Sequence, residues 1–255
     1  MRSPLWEVIF SELQQDLGRK VIEALSDFYL AHDLGKASMA YSGGLDSSIL
    51  LALSPKTVIP YTLGDEISKD HSNSSDGAQK LGFRVVSFPL NSVKLESYVE
   101  TVKRIDPGIR KKDIGYEVVL AILLDTIEED EVITGQGADE IFYGYNIFRE
   151  HPDLDNSSHM KKLFEETLPR EKALAENYGK KLITPYLSAE ILKIMENIGR
   201  DTNFSGVANK AILRSAAVQA GIPDEMAERK KTAAQYGSGL MKKLKMLPVW
   251  NTFPQ

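Results

Sequence analysis

Two short stretches set acids beside glycines, the arrangement needed to hold a charged ligand against a backbone turn. Ser42-Gly43-Gly44-Leu45-Asp46-Ser47-Ser48 reads as a turn that opens a helix. Paired glycines let backbone N–H groups approach an anion with no Cβ in the way, and the helix presents its positive end to the same point. Such a turn is a phosphate cradle. A Walker-type loop would close with Gly-Lys-Ser/Thr, whereas this one has no lysine and sets Asp46 at the helix start. A carboxylate beside phosphate repels it unless a metal ion lies between them, so Asp46 predicts Mg2+. The competing reading is a Ser/Asp helix cap after a Gly-Gly turn.

The second stretch is Gly135-Gln136-Gly137-Ala138-Asp139-Glu140. It begins like the dinucleotide fingerprint G-x-G-x-x-G, but Glu140 stands where the third glycine must let the helix pack on the sheet. A strand-to-helix turn is left, with glycines supplying positive φ and acids favouring the helix N-terminus.

The surrounding elements alternate in type. Residues 21–34 carry helical periodicity, and 36–41 read as a strand that delivers the first turn. Residues 57–64 read as a second strand, with Pro60 placing it at an edge or a bulge. A helix over 72–82, a third strand over 83–90, amphipathic helices over 93–105 and 115–130, and a fourth strand over 131–135 follow. Strands alternating with helices predict a parallel α/β sheet covered by helices on both faces. Beyond residue 149 the strand signal fades into helical patterns. The chain thus reads as one domain over 1–255, with N-terminal helices in 1–35, a nucleotide-binding α/β core in 36–149 and a mainly helical part in 150–255. In such sheets ligands bind at the carboxyl ends of the strands, where both turns fall.

Composition narrows the function classes. The 255 residues carry a net charge of −5 and a pI of about 5.5, which disfavours nonspecific nucleic-acid binding. With no cysteine, disulfides, thiolate zinc sites and cysteine nucleophiles are excluded. No apolar run approaches a membrane span and the N-terminus lacks a signal-type apolar region, so a soluble, cytoplasmic protein is expected. His32, His71, His151 and His159 show no ligand spacing, and surface or capping roles are expected of them.

Together the two stretches carry a resemblance. Ser42–Ser48 resembles the pyrophosphate loop (PP-loop) of the N-type ATP pyrophosphatases. Read with Thr134–Tyr145, the chain resembles the synthetase domain of asparagine synthetase and the related β-lactam synthetase. Further matching blocks lie in order at 106–110, 180–188, 209–216 and 222–231, so the resemblance spans about residues 15 to 245. It implies ATP-dependent adenylation of a carboxylate, aspartate by default, with release of pyrophosphate and capture of the acyl-adenylate by ammonia or another amine. Ser42, Gly43, Gly44, Asp46 and Ser47 would then hold the β- and γ-phosphates. Tyr41, Leu63 and Gly64 would frame the nucleotide, and Thr134 and Gly135 would close over its α-phosphate or ribose. Asp46 and Asp139 would be the Mg2+ carboxylates, and Lys231 would serve the α-phosphate and leaving group. Arg229 and Lys230 flank that lysine, and Arg110 is a weaker anion contact.

Three departures qualify the resemblance. The glutamine-hydrolysing half of asparagine synthetases is expected to be absent, which leaves free ammonia, a separate glutaminase subunit or another amine as the nitrogen source. Gln136, the catalytic candidate the resemblance implies beside Lys231, stands where the family usually has a glutamate that helps form the acyl-adenylate or accepts a proton, and an amide cannot act as a general base near neutral pH. Leu187-Ser188 and Tyr143 depart from the family forms around the substrate pocket. Three readings stay open: an asparagine-synthetase-type amide ligase, the same chemistry on another acid and amine, and an ATP-binding partner subunit with weak or no catalysis. Self-association into a homo-oligomer is compatible with all three.

Overall fold

The computed structural model describes residues 5–206, 208–229 and 233–254. Five strands, β1 (Ser38–Ala40), β2 (Ile59–Leu63), β3 (Val86–Phe88), β4 (Glu131–Ile133) and β5 (Lys181–Ile183), form one parallel sheet in the order β3-β2-β1-β4-β5. The chain runs outward from β1 through β2 to β3, then returns to place β4 on the other side of β1. The direction of winding reverses between β1 and β4, which opens a crevice at their carboxyl ends.

Helices α1 (Leu5–Ala31), α2 (Leu45–Leu53), α3 (Lys69–Lys80), α4 (Leu95–Ile105) and α5 (Ile114–Thr126) connect or cover these strands. Successive strand residues point to opposite faces, and each face has its own core. Met39 of β1 and Ile133 of β4 pack with Val21 and Leu25 of α1, Ile49 and Leu50 of α2, and Ile212 and Leu213 of the helix Ala211–Gln219. Tyr61 of β2 and Val132 of β4 pack on the other side with Val99 and Val102 of α4, Val118 and Ile122 of α5, and Leu174 of the helix Leu168–Asn177. The α/β class with helices on both faces is therefore as the alternation of elements implied.

Three details of the sequence reading need correction. Pro60 lies in an interior strand, paired opposite Met39 of β1, and not at an edge or bulge. Ile59 donates its N–H to Ala37 on the β1 side, so the nitrogen of position 60 faces β3, whose ladder begins only at Tyr61 opposite Val86. No ladder bond is lost there. The second correction is β5, a strand with no clear signal in its own three residues. It forms because β4 offers an open edge: Lys181 N–H donates to Asp130 O and Thr134 N–H to Ile183 O, at 2.8 and 2.9 Å. Also, α1 begins at Leu5, well before the periodic segment at 21–34, and ends at Ala31.

Candidate active site

The turn after β1 is held from behind. Gly43 has φ 70°, and a Cβ there would run into the backbone of Asn73 in α3, 2.5 Å from its carbonyl oxygen. Arg229 donates from Nη1 to Gly43 O at 2.8 Å and to Asn73 O at 3.2 Å, and from Nη2 to Asp76 Oδ2 at 3.1 Å. The arginine that flanks Lys231 thus clamps the loop to α3. α2 follows directly, and the first N–H groups of a helix have no partners within it, which suits an anion.

The turn after β4 uses Gly137 at φ 91° and leads into α6 (Ala138–Ile141). A Cβ on Gly137 would strike the side chain of Leu187, in the segment that follows β5. Gly135 lies against Asp46, where a Cβ would sit 3.5 Å from the Asp46 Cβ.

Both turns open onto one cavity of about 570 Å3. Tyr41, Ser42, Gly44, Asp46 and Ser47 line it from the β1 side, Leu63 from β2, and Thr134, Gly135, Gln136 and Asp139 from the β4 side. Gly43 and Gly64 lie outside its wall: Gly43 faces α3, and Gly64 donates its N–H to Phe88 O at 2.9 Å, joining β2 to β3. Lys231 and Lys230 lie outside the described residues. Arg110 is taken up by Asp113 and Glu166, at 3.2 and 2.9 Å, and does not reach the cavity.

Between the two turns stands a residue that the sequence reading gave no role. Lys210 is buried, and its Nζ lies 2.6 Å from both carboxylate oxygens of Asp46 and 2.8 Å from Oδ1 of Asp139. Burial alone would drive off its proton, but the Asp139 and Asp46 carboxylates outweigh it and raise the pKa. Lys210 also carries a left-handed backbone, φ 56°, just before the helix Ala211–Gln219. Its block, Asn209–Ala216, was visible in the sequence; what it would meet was not.

The pair Asp46 and Asp139 fits Mg2+. A single cationic nitrogen already spans them, so one small cation can reach both carboxylates. Among the described residues no cluster of three or more His, Asp or Glu side chains offers an all-protein metal cage. Mg2+ takes one or two carboxylates, with substrate phosphates and water completing its octahedron.

Farther from the β1 turn the cavity is bounded by α5 and by the helical run from Ser157 to Asn177. Here Tyr145 donates its hydroxyl to Glu140 Oε1 at 2.5 Å, and Lys162 pairs with Asp113 at 2.8 Å. His159 joins this wall beside the rings of Tyr145 and Phe148. Glu171 is a second residue the sequence reading missed. It is buried at the cavity wall; burial, then the nearby Glu117 and Glu140, push its pKa well above the usual carboxylate range against the pull of Arg170. Its own helix gave no sign of this, since Glu171 reads as one more charge in an Arg-Glu-Lys run.

An α/β sheet with a clamped glycine turn after β1, and two carboxylates converging at its switch point, defines a nucleotide-binding protein of the PP-loop type. A family model for asparagine synthase matches residues 35–181, and the chain belongs to that family. Among curated proteins, it is 28% identical over 251 residues to a Methanocaldococcus jannaschii protein named "Putative asparagine synthetase [glutamine-hydrolyzing] 1". The match covers 81% of this chain and 46% of that protein, so the chain spans about half the length of this relative. Solved structures with similarity include an NMN synthetase from Francisella tularensis, at 12% identity and TM-score 0.46, covering 92% of this chain and 82% of that one. A U34-tRNA thiolase from Methanococcus maripaludis is similar at 15% identity and TM-score 0.35, covering 91% and 80%. Family membership supports an ATP-utilising ligase. No helix among the described residues is long and apolar enough to cross a membrane.

Proposed function

We propose that the chain is an AMP-forming carbon–nitrogen ligase, with aspartate as the default acid and ammonia as the default amine. The observation that carries this reading is the convergence of Asp46 and Asp139 beside the clamped phosphate loop, in a cavity that continues to a second, carboxylate-lined end. A carboxylate oxygen of the acid attacks the α-phosphorus of ATP, and the bond to pyrophosphate breaks. The amine nitrogen then attacks the acyl carbon, AMP departs, and one proton leaves the nitrogen.

The protein's part is placement and charge compensation. The turn Ser42–Ser47 receives the pyrophosphate end of the nucleotide, while Leu63 and Thr134 border its other half. Mg2+, when bound, would neutralise phosphate charge from Asp46 and Asp139. Lys231 is assigned to the leaving group by its place in the motif. Gln136 orients the acyl group by hydrogen bonding, and Glu171 takes the amine proton that an amide cannot accept. The chain has no cysteine, so ammonia reaches the cavity from solution or from a glutaminase active site outside these 255 residues. The name of the archaeal relative agrees with that supply.

Isotope exchange between pyrophosphate and ATP, run over a panel of acids with Mg2+, tests the reading. Exchange with aspartate, and asparagine formation on adding ammonium, is the expected result. Exchange confined to another acid would move the chain to the same chemistry on a different substrate. ATP binding without exchange on any acid would mark it as a non-catalytic partner subunit.

A further inference from the structure

The geometry points to Lys210 as a built-in stand-in for the divalent cation: its ammonium fills the gap between Asp46 and Asp139 and must withdraw for the cation to bind. This inference rests on the assignment of the two aspartates to the metal. Nζ contacts both carboxylates at 2.6 to 2.8 Å. A Mg2+ ion bound to both would lie about 2.0–2.1 Å from their oxygens, within the same gap. Two cations cannot share that gap at contact distance, so one excludes the other.

The stem of Lys210 is packed in place, so exchange would move only its tip. The Cε lies directly over Gly144, where any Cβ would collide with it. Asn209 donates from Nδ2 to Gly144 O at 2.6 Å, anchoring the preceding residue to the same turn. The left-handed backbone at Lys210 is uncommon for a side chain of this size and persists only where surrounding contacts determine it. A lysine ammonium on a flexible four-carbon stem can still swing by rotation of its last bonds.

The arrangement has two effects. Without nucleotide, the carboxylates are compensated and do not repel each other. With nucleotide, the incoming phosphates offer the displaced ammonium a new counter-charge, so the cation enters with its nucleotide and binds poorly without it.

The test is Mn2+ binding to the nucleotide-free protein, followed by the paramagnetic resonance signal of free Mn2+. Wild type should bind weakly, Lys210→Met about tenfold or more tightly, and Lys210→Arg, which keeps the competing charge, weakly again. Lys210→Met binding no tighter than wild type would overturn the stand-in. A crystal of wild type with Mn2+ and a non-hydrolysable ATP analogue decides the matter without a variant. An anomalous peak between Asp46 and Asp139 with Nζ withdrawn supports the exchange, and Nζ unmoved with Mn2+ elsewhere overturns it. Neither readout depends on turnover, so the absence of pyrophosphate exchange would count against the ligase reading alone.

Discussion

Glu171 illustrates how one side chain can be ordinary in sequence and unusual in space. Burial makes the Glu171 carboxylate, once ionised, a stronger base than an ordinary glutamate, suited to the proton transfer that Gln136 cannot perform. Glu171→Gln should therefore leave pyrophosphate exchange largely intact while amide formation falls by about 10²- to 10⁴-fold, as measured by product release in the same assay. The sign of the pH dependence follows: the base works only when ionised, so wild-type amide formation rises as pH climbs through the raised pKa. That limb should be missing from the residual activity of the variant. Equal loss of exchange and amide formation would show that Glu171 acts before the amine arrives, or only supports the fold.

At the scale of elements, the site depends on two turns being neighbours. β1 and β4 are adjacent only because the chain completes β2 and β3 on one side before crossing back. The β1 turn is further fixed by α3 and Arg229 packing against Gly43. Gly43→Ala combines a collision with the Asn73 backbone and a positive φ, so it should destabilise the protein by about 1–3 kcal/mol in urea unfolding. ATP affinity should fall with it, because the loop can no longer lie on α3. Unchanged nucleotide binding, measured calorimetrically, would show that the clamp does not shape the phosphate site. Both glycine turns were legible in the sequence as turns, since their conformation is a local property. The clamp was not: it is made by Asn73 and by Arg229, far away in the chain.

At the scale of the whole molecule, buried charge ties global stability to pH. Asp70, 3% exposed at the start of α3, has its pKa pushed up to about 7 by burial. A carboxyl with a raised folded pKa binds its proton more tightly when folded, so its contribution is complete below the unfolded pKa of 3.8 and is lost as pH rises toward 7. Asp70→Asn has no such titration. Relative to that variant, wild type should lose about 3 kcal/mol of unfolding free energy between pH 5 and pH 8. Parallel stability curves for the two proteins would contradict the shift. The same molecule buries a second ionic group, Arg170 with Glu117 at 2.7 Å and with Asp106 at 2.8 Å, between α5 and the helix Leu168–Asn177. That network holds the helix that carries Glu171 against the sheet's second core.

Patterns along the chain are enough to set the α/β class, the places where strands hand over to helices, and the chemical character of the two glycine turns. These are encoded by spacing along the chain: periodicity, capping residues and the backbone freedom of glycine act over a few neighbours. Tertiary structure decided which distant side chains share a space. It admitted Pro60 to an interior strand by facing its nitrogen ahead of the β3 ladder, and made β5 from three residues by giving them an edge to pair with. It also set Lys210 between Asp46 and Asp139 and turned Glu171 into the cavity. Such meetings arise from the packing of helices on both faces of the sheet, and no local pattern carries them.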